Sequence, residues 1–138
     1  MRDFDARFTA RKRERKLLEF SDFEHLALRL LRTPEGTPTP LCENIRQDYA
    51  AVMVDEYQDI NDVQEEILAA VSDGNLFMVG DVKQSIYGFR GCNPEIFRHK
   101  ITEMEGRNAV LRLNYNFRSS DAVIAAVNAV FDHVMTEK

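Results

Sequence analysis

Two short apolar stretches, each followed at once by a polar loop, constrain this chain more than any other feature. Residues 51–54 (Ala-Val-Met-Val) precede the adjacent acids Asp55 and Glu56, and residues 76–79 (Leu-Phe-Met-Val) precede the loop 80–91. Such short apolar runs, separated by a helix-length segment, are typical of buried strands in a parallel sheet. Because open α/β sheets bind ligands beyond the carboxyl ends of their strands, the sequence predicts a functional site there.

Capping residues and apolar periodicity predict the helices around these strands. Residues 3–18 are predicted to be helical but polar, which is typical of a solvated arm. Ser21 followed by Glu24 is a capping-box pattern, so a second helix is expected to begin there. Asn61 is expected to cap a third helix, and Asn93, followed by proline at the first helical position, is expected to cap another.

The last part of the chain is predicted to add one strand and one helix. Residues 109–113 are expected to form a third strand, and Ser119 or Ser120 is expected to cap the final helix. The alternation of strands with helices of about ten residues or more predicts an α/β fold, with a short parallel sheet flanked by helices. The inward face of the final helix is expected to comprise Val123, Ile124, Val127, Val130, Phe131 and Val134.

Composition narrows the functional classes. The chain has 138 residues, 44% of them hydrophobic, which is enough for one core. Its net charge of −5 argues against a broad nucleic-acid-binding surface, so any such contact is expected to be local. Cys42 and Cys92 show no metal-ligand spacing and are expected to be free thiols. The sequence has neither a membrane-span-length apolar run nor an apolar signal core, so a cytoplasmic protein without membrane contact is expected.

The adjacent acids at the end of the first strand can perform two different tasks, because successive side chains on a strand point in different directions. Mg²⁺ needs only one or two carboxylates besides phosphates and waters, so Asp55 is predicted to hold a metal ion. Glu56 is predicted to orient or deprotonate an attacking water. The alternative is a pair of ordinary exposed acids, but the apolar run before them and Gln58-Asp59 after them favour a site.

Three segments, in this order and at these spacings, resemble motifs of the UvrD/Rep-like superfamily 1 DNA helicases. Residues 55–59 (Asp-Glu-Tyr-Gln-Asp) resemble motif II, the Walker B box. Residues 80–91 resemble motif III, and residues 113–120 (Leu-Asn-Tyr-Asn-Phe-Arg-Ser-Ser) resemble motif IV. This resemblance implies a partial RecA-like (P-loop NTPase) domain that uses ATP and Mg²⁺.

Within that superfamily the chain is most similar to AddA-type subunits of bacterial helicase–nuclease complexes. Lys83, Gly88-Phe89 and residues 20–25 (Phe-Ser-Asp-Phe-Glu-His) carry this similarity. It implies a parent protein that couples ATP hydrolysis to translocation on single-stranded DNA in double-strand break repair. It also implies an associated exonuclease and an AddB-like partner subunit.

The motif III loop offers an amide, two aromatic rings and two cations. The resemblance implies that Gln84 contacts the γ-phosphate or the attacking water, although an amide bonded to nearby backbone explains it equally well on chemistry alone. Phe89 is expected to stack on single-stranded DNA bases, and for Tyr87 stacking and core packing stay equally open. Ile86 is expected to anchor the loop in the core. Arg90 is expected to pair with a DNA phosphate or with an acid of its own domain.

The motif IV segment offers one further cation. By resemblance Arg118 is a finger that stabilises transition-state charge at the γ-phosphate, and Phe117 occupies the position that stacks on adenine. The alternative is a surface arginine that interacts with Asp121. Asp59 and Asp81 are expected to be structural loop acids that cap or pair with their neighbours.

The phosphate-binding pattern Gly-x-x-x-x-Gly-Lys-Ser/Thr is absent from the sequence. In the family this loop lies upstream of motif II, and its strand lies between the motif III strand and the next one. The chain is therefore expected to be an excerpt: a helical arm and linker (1–40), the second half of a RecA-like domain (41–118) and a helix leading onward (119–138). The first two strands are expected to pair directly and the third to face an empty slot. The fragment is expected to be inactive and to self-associate.

Two other functions stay open. The chain could be a non-catalytic module that binds single-stranded DNA or a partner subunit. It could also be a two-metal nuclease, although that hypothesis leaves Gln84 and Arg118 unexplained. The nuclease hypothesis depends on Asp55, Glu56, Asp59 and Asp81.

Overall fold

The computed structural model describes residues 2–135, apart from the side chain of Arg2. The helices within this range are α1 (Arg2–Arg15), α2 (Phe20–Leu31), α3 (Pro40–Asp48), α4 (Asp62–Val71), α5 (Pro94–Glu105) and α6 (Asp121–Val134). The strands are β1 (Val52–Val54) and β2 (Leu76–Met78), and short 3₁₀ turns occupy Tyr57–Asp59, Val82–Gln84 and Gly88–Arg90. No helix in this range is both long and apolar enough to cross a bilayer.

The two strands pair in parallel, with α4 as the connection between them. Val52 is opposite Leu76 and Val54 is opposite Met78. The amide of Tyr57 donates to the carbonyl of Val79 at 2.9 Å, which continues the pairing beyond the strands. The predicted α/β class and the direct pairing of the first two strands are therefore confirmed, although each strand is shorter than predicted.

Two small clusters of buried side chains stabilise this arrangement. Beneath the sheet, Tyr57, Ile60 and Phe97 pack against half-buried residues of β1, β2, α4 and α5. Between α2, α3 and α4, a second cluster contains Leu31, Cys42 and Ala70. The clusters lie on either side of α4, so this helix links the sheet to the N-terminal helices.

Three of the four predicted caps are found, because Asn61, Asn93 and Ser120 each precede a helix, although the Ser120 side chain makes no capping hydrogen bond. Asn61 accepts a hydrogen bond from the Gln64 amide at 2.8 Å and begins α4. Asn93 accepts from the Glu95 amide at 3.2 Å and begins α5. The predicted Ser21–Glu24 box is wrong, because α2 begins after Glu19.

The side chains of α2 explain why this helix begins after Glu19 and not at Ser21. The carboxylate of Asp22 accepts from the Glu19 amide at 2.8 Å, so it occupies the capping role. Glu24 instead accepts from the side-chain amide of Gln64 at 2.7 Å. A tertiary contact has therefore engaged the carboxylate that the local pattern assigned to the cap. Lys12 joins α1 to α2, with its Nζ atom 2.7 Å from Asp22 Oδ1.

The last part of the chain differs most from the predictions. Residues 109–113 form no strand, and Leu111 and Leu113 are exposed. A strand needs a neighbour to pair its backbone groups, and none is offered to this segment by the residues described. The predicted inward face of α6 is also wrong. Its members Val123, Val127, Val130, Phe131 and Val134 are exposed, and Ile124 is half-buried.

Candidate functional site

The acids predicted from the sequence lie where β1 ends. The backbone turns sharply at Glu56, which adopts the left-handed conformation with φ 53° and ψ 41°. This conformation costs about 1–2 kcal/mol for a residue with a Cβ atom. Asp55 Oδ1 accepts the Glu56 amide at 2.9 Å and helps to hold the turn. Both carboxylates are exposed, so a ligand can reach them.

Gln58 connects this turn to the loop after β2. Its side chain is 1% exposed. Its Nε2 atom donates to Glu56 Oε2 at 2.7 Å, and its Oε1 atom accepts from the Asp81 amide at 3.0 Å. The sequence pattern indicated Gln58 only as context for the acids. The available signal was an amide placed directly after a strand-end acid pair, but its partner lies 23 positions away.

Asp81 extends the connection to Gln84. Its Oδ1 atom accepts from the Lys83 amide at 3.0 Å, which confirms the expected capping role. Its Oδ2 atom accepts from Gln84 Nε2 at 3.2 Å. A series of hydrogen bonds therefore runs from Glu56 through Gln58 and Asp81 to Gln84. The structure thus places Asp55, Glu56 and Gln84 at the same edge of the sheet.

Close packing at Gly80 fixes this connection in place. A Cβ atom at this position would lie 2.5 Å from Gln58 Oε1 and 2.9 Å from Phe97 Cε1. It would also lie 3.1 Å from the backbone nitrogen of Tyr57. Only glycine therefore fits between the two loops without displacing the amide of Gln58.

Tyr57 anchors the turn from below. It is fully buried, and its ring centroid lies 5.4 Å from that of Phe97. Its hydroxyl donates to Glu65 Oε2, and Glu65 Oε1 lies 2.9 Å from Lys100 Nζ. Burial raises the pKa of the Tyr57 phenol, and the hydrogen bond to Glu65 raises it further. The turn that follows the two acids is thus tied to both α4 and α5.

The aromatic residues of the second loop form an exposed group with Arg90. The ring centroids of Tyr87 and Phe89 are 6.1 Å apart. The Arg90 guanidinium carbon lies 5.2 Å from the Tyr87 centroid and 5.5 Å from the Phe89 centroid. Phe89 is 79% exposed, and the expected core anchor Ile86 is exposed as well, so that expectation is wrong. Bases could therefore reach this group from solvent.

The residues of the motif IV segment are not joined to the acids. Arg118 and Phe117 are exposed, and the Arg118 amide donates to Asn116 Oδ1 at 2.9 Å. Across residues 2–135, no hydrogen bond or ion pair connects the Arg118 side chain to Asp55, Glu56 or Asp121. The structure thus brings together the residues of two predicted motifs and leaves the third apart.

Metal binding at this site would depend on few protein ligands. Among the residues described, no three His, Cys, Asp or Glu side chains converge as a metal-binding group. Both thiols, Cys42 and Cys92, are free. Asp55 is exposed beside Glu56, which fits an ion that takes most of its ligands from phosphates and water.

Comparison with known proteins identifies the family. Residues 1–105 match the family model of the UvrD/REP helicase N-terminal domain. The chain belongs to this family. The resemblance deduced from the motifs is therefore confirmed, and the matched range includes the β1–α4–β2 unit and both loops of the site.

Two relatives extend the comparison over the whole sequence. The A subunit of the ATP-dependent helicase/nuclease of Staphylococcus carnosus (strain TM300) is 45% identical over 144 residues, which cover 99% of this chain and 12% of the relative. The protein of the same name from Staphylococcus aureus (strain JH9) is 42% identical over 147 residues, covering 100% of this chain and 12% of the relative. The chain thus spans 12% of the length of these relatives.

Proposed function

We propose that this chain is part of an ATP-dependent DNA helicase of the AddA type. One observation carries the proposal: the hydrogen-bonded series from Glu56 through Gln58 and Asp81 to Gln84. This series joins a strand-end acid pair to the loop that carries the exposed aromatic group. A motor needs such a connection, because ATP hydrolysis at one site must be coupled to nucleic-acid binding at another.

Asp55 and Glu56 fit different tasks in ATP hydrolysis. Mg²⁺ and ATP, when bound, supply a phosphoryl group whose charge the metal partly neutralises. Asp55 would hold Mg²⁺, and its exposure leaves room for phosphates and waters. Glu56 would orient a water molecule and accept its proton at the carboxylate. Gln84, bonded to Asp81, would contact the γ-phosphate or that water without adding charge.

Phe117 and Arg118 would complete the nucleotide site from the motif IV segment. Arg118 would stabilise charge on the transferred phosphoryl group, and Phe117 would stack on adenine. Their exposure leaves both side chains accessible to a ligand. The sequence lacks the glycine-rich phosphate loop, so we propose that the 138 residues alone do not hydrolyse ATP.

The parent fold is proposed to be RecA-like. The parallel β1–α4–β2 unit is compatible with this fold, and its sheet leaves Met53 and Phe77 exposed on one face. In complete parallel sheets both faces are covered by helices. We further propose that residues 41–118 belong to this domain, between an accessory arm (1–40) and a connecting helix (119–138). The parent would act in the cytoplasm in double-strand break repair, with an associated exonuclease and an AddB-like partner subunit.

Single-stranded DNA is the proposed ligand of Tyr87, Phe89 and Arg90. Stacking of a base on an aromatic side chain contributes roughly 1–3 kcal/mol. Phe89→Ala is therefore expected to weaken binding of a fluorescently labelled single-stranded oligonucleotide about 5- to 150-fold, measured by anisotropy at fixed salt. Phe20→Ala is the matched control, because Phe20 is also highly exposed but lies on α2. Equal affinities of the native chain and the Phe89 variant would contradict the proposed contact.

A non-catalytic binding module is the second candidate. The exposed aromatic group favours it, because stacking of bases on aromatic side chains does not depend on nucleotide hydrolysis. Salt-sensitive oligonucleotide binding without turnover by the full-length parent would support the module over the motor. The two-metal nuclease loses support, because both carboxylate oxygens of Asp81 are bonded to the neighbouring residues Lys83 and Gln84.

A further inference from the structure

Among the described residues, Gln58 is the one buried side chain that carries an amide or a charged group, and its amide is hydrogen-bonded at both ends. Its nitrogen donates to Glu56 at 2.7 Å and its oxygen accepts from the Asp81 amide at 3.0 Å. Its backbone carbonyl also accepts from Ser85 Oγ at 3.2 Å. Three hydrogen bonds thus connect one residue of the first loop to the acid before it and to two positions of the second loop.

The surroundings of Gln58 leave it no freedom to move alone. Gly80 lies so close that a methyl group there would overlap Gln58 Oε1. Tyr57, the preceding residue, is buried and bonded to Glu65. A shift of the Gln58 amide must therefore shift Gly80 and Asp81 as well. Glu56, by contrast, is exposed, and its carboxylate has no other hydrogen bond to residues 2–135.

We propose that Gln58 is a positioning residue that holds the Glu56 carboxylate in place and transmits its displacement to residues 80–91. This role for Gln58 rests on the proposed function, since the proposed function gives Glu56 its role in hydrolysis. Gln58 itself does not contact the substrate. When Glu56 moves as its ligand changes, Gln58 follows, and Asp81 carries the displacement into the loop that presents Phe89.

The first test needs no ligand and measures the link between Gln58 and Asp81, which is the hydrogen bond from the Asp81 amide to the Gln58 side chain. Gln58→Met preserves side-chain length and apolar packing but removes both amide hydrogen bonds. Hydrogen exchange of the Asp81 amide, followed by NMR and corrected for global stability, is expected to accelerate roughly 2- to 13-fold. An unchanged rate in a folded variant would overturn the link.

A second variant covers the case in which Gln58→Met does not fold. Glu56→Ala alters only an exposed side chain, yet it removes the acceptor of the Gln58 nitrogen. Faster exchange of the Asp81 amide is expected, because the link passes through Gln58. Glu35→Ala is the control, since it removes another exposed acid in a different loop and should leave that amide unchanged. The absence of any difference between these two variants would overturn the proposal.

The functional test uses the full-length S. carnosus relative, with this chain in place of its matching segment. Gln58→Met is expected to reduce DNA-stimulated kcat at least about tenfold, with KM for ATP within about twofold. A merely structural role would lower the melting temperature without changing the ratio of stimulated to basal turnover. If the unmutated chimera hydrolyses no ATP, the proposed function fails, while the exchange measurement still decides the link. If the chimera is active and Gln58→Met keeps its full stimulation, the inference fails and the proposed function stands.

Discussion

Residues 55–105 and residues 106–135 both contain aromatic and charged side chains of the helicase motifs, but the two regions are packed very differently. In the first region Tyr57 is 0% exposed, and its ring packs on Phe97. In the second region Phe117 is 94% exposed, and its ring pairs with Tyr115, which is exposed too. The chain's own packing therefore positions the candidate groups of the first region, whereas those of the second receive no such support from the described residues.

The physical cause is the availability of partners. The strand at Val52–Val54 forms because Leu76–Met78 satisfies its backbone groups and Phe97 covers one face. Residues 109–113 have a comparable apolar pattern and no strand beside them within the part of the chain that is described. The match to the helicase family model also ends at residue 105, where this packing ends.

The largest expected effect separates the two regions by stability. Tyr57→Ala removes a fully buried ring and is expected to lower the free energy of unfolding by about 3–5 kcal/mol. Phe117→Ala removes an exposed ring and is expected to change it by less than about 0.5 kcal/mol. Urea denaturation followed by circular dichroism measures both. A comparable loss in the two variants would mean that the second region is packed in solution.

The next effect tests the contact between the two loops of the site. Gly80→Ala places a methyl group against Gln58, Phe97 and the backbone of Tyr57, and is expected to destabilise the chain by about 1–3 kcal/mol. Gly88→Ala is the matched control, because a Cβ atom there meets nothing within 4 Å. The same denaturation assay distinguishes them. Equal stability of the two alanine variants would show that the loops are not in close contact.

Local sequence sufficed where local chemistry decides the structure. The caps at Asn61 and Asn93 depend on residues two or three positions away, so they were predictable. The two strands and the acids at the end of β1 followed from apolar runs of strand length. The edge of the sheet that carries Asp55 and Glu56 was predictable for the same reason.

Long-range contacts set the limit of that prediction. Glu24 does not form the predicted capping box, because its carboxylate accepts a hydrogen bond from Gln64, 40 positions away. Gln58 gains its role from Asp81, 23 positions away, and no local pattern encodes that partner. The prediction of a strand at residues 109–113 was wrong because a strand forms only beside a neighbouring strand. The strand propensity of a segment carries no information about that neighbour.

A smaller effect concerns the hydroxyl group of Tyr57. Tyr57→Phe leaves the Oε2 atom of Glu65 without its donor and is expected to cost about 1–2 kcal/mol near pH 7. Tyr115→Phe is the counterpart in the second region. Because Tyr115 is exposed, this change is expected to cost less than about 0.5 kcal/mol. Equal costs would contradict the buried hydrogen bond.

Tyr57 is also expected to make the free energy of unfolding depend on pH in the alkaline range. Burial raises the pKa of Tyr57 in the folded chain above its ordinary value near 10, so above that pH the unfolded chain loses a proton that the folded chain keeps. The free energy of unfolding is therefore expected to fall by up to about 1.4 kcal/mol per pH unit as the pH rises above 10. Tyr57→Phe should remove this part of the decrease. An identical decrease in the native chain and the variant would refute the assignment.

The smallest expected effect on stability comes from the apolar residues that the missing strand leaves in solvent. Leu111→Ser with Leu113→Ser is expected to change the free energy of unfolding by less than about 0.5 kcal/mol, because both side chains are exposed. The exposed apolar surface instead favours contact between copies of the chain, so the double variant is expected to elute later than the native chain on gel filtration at equal concentration. Denaturation at two protein concentrations separates the two effects, since only association depends on concentration. A loss above about 1 kcal/mol at the lower concentration would show that residues 109–113 pack within one molecule, and the contrast between the two regions would then disappear.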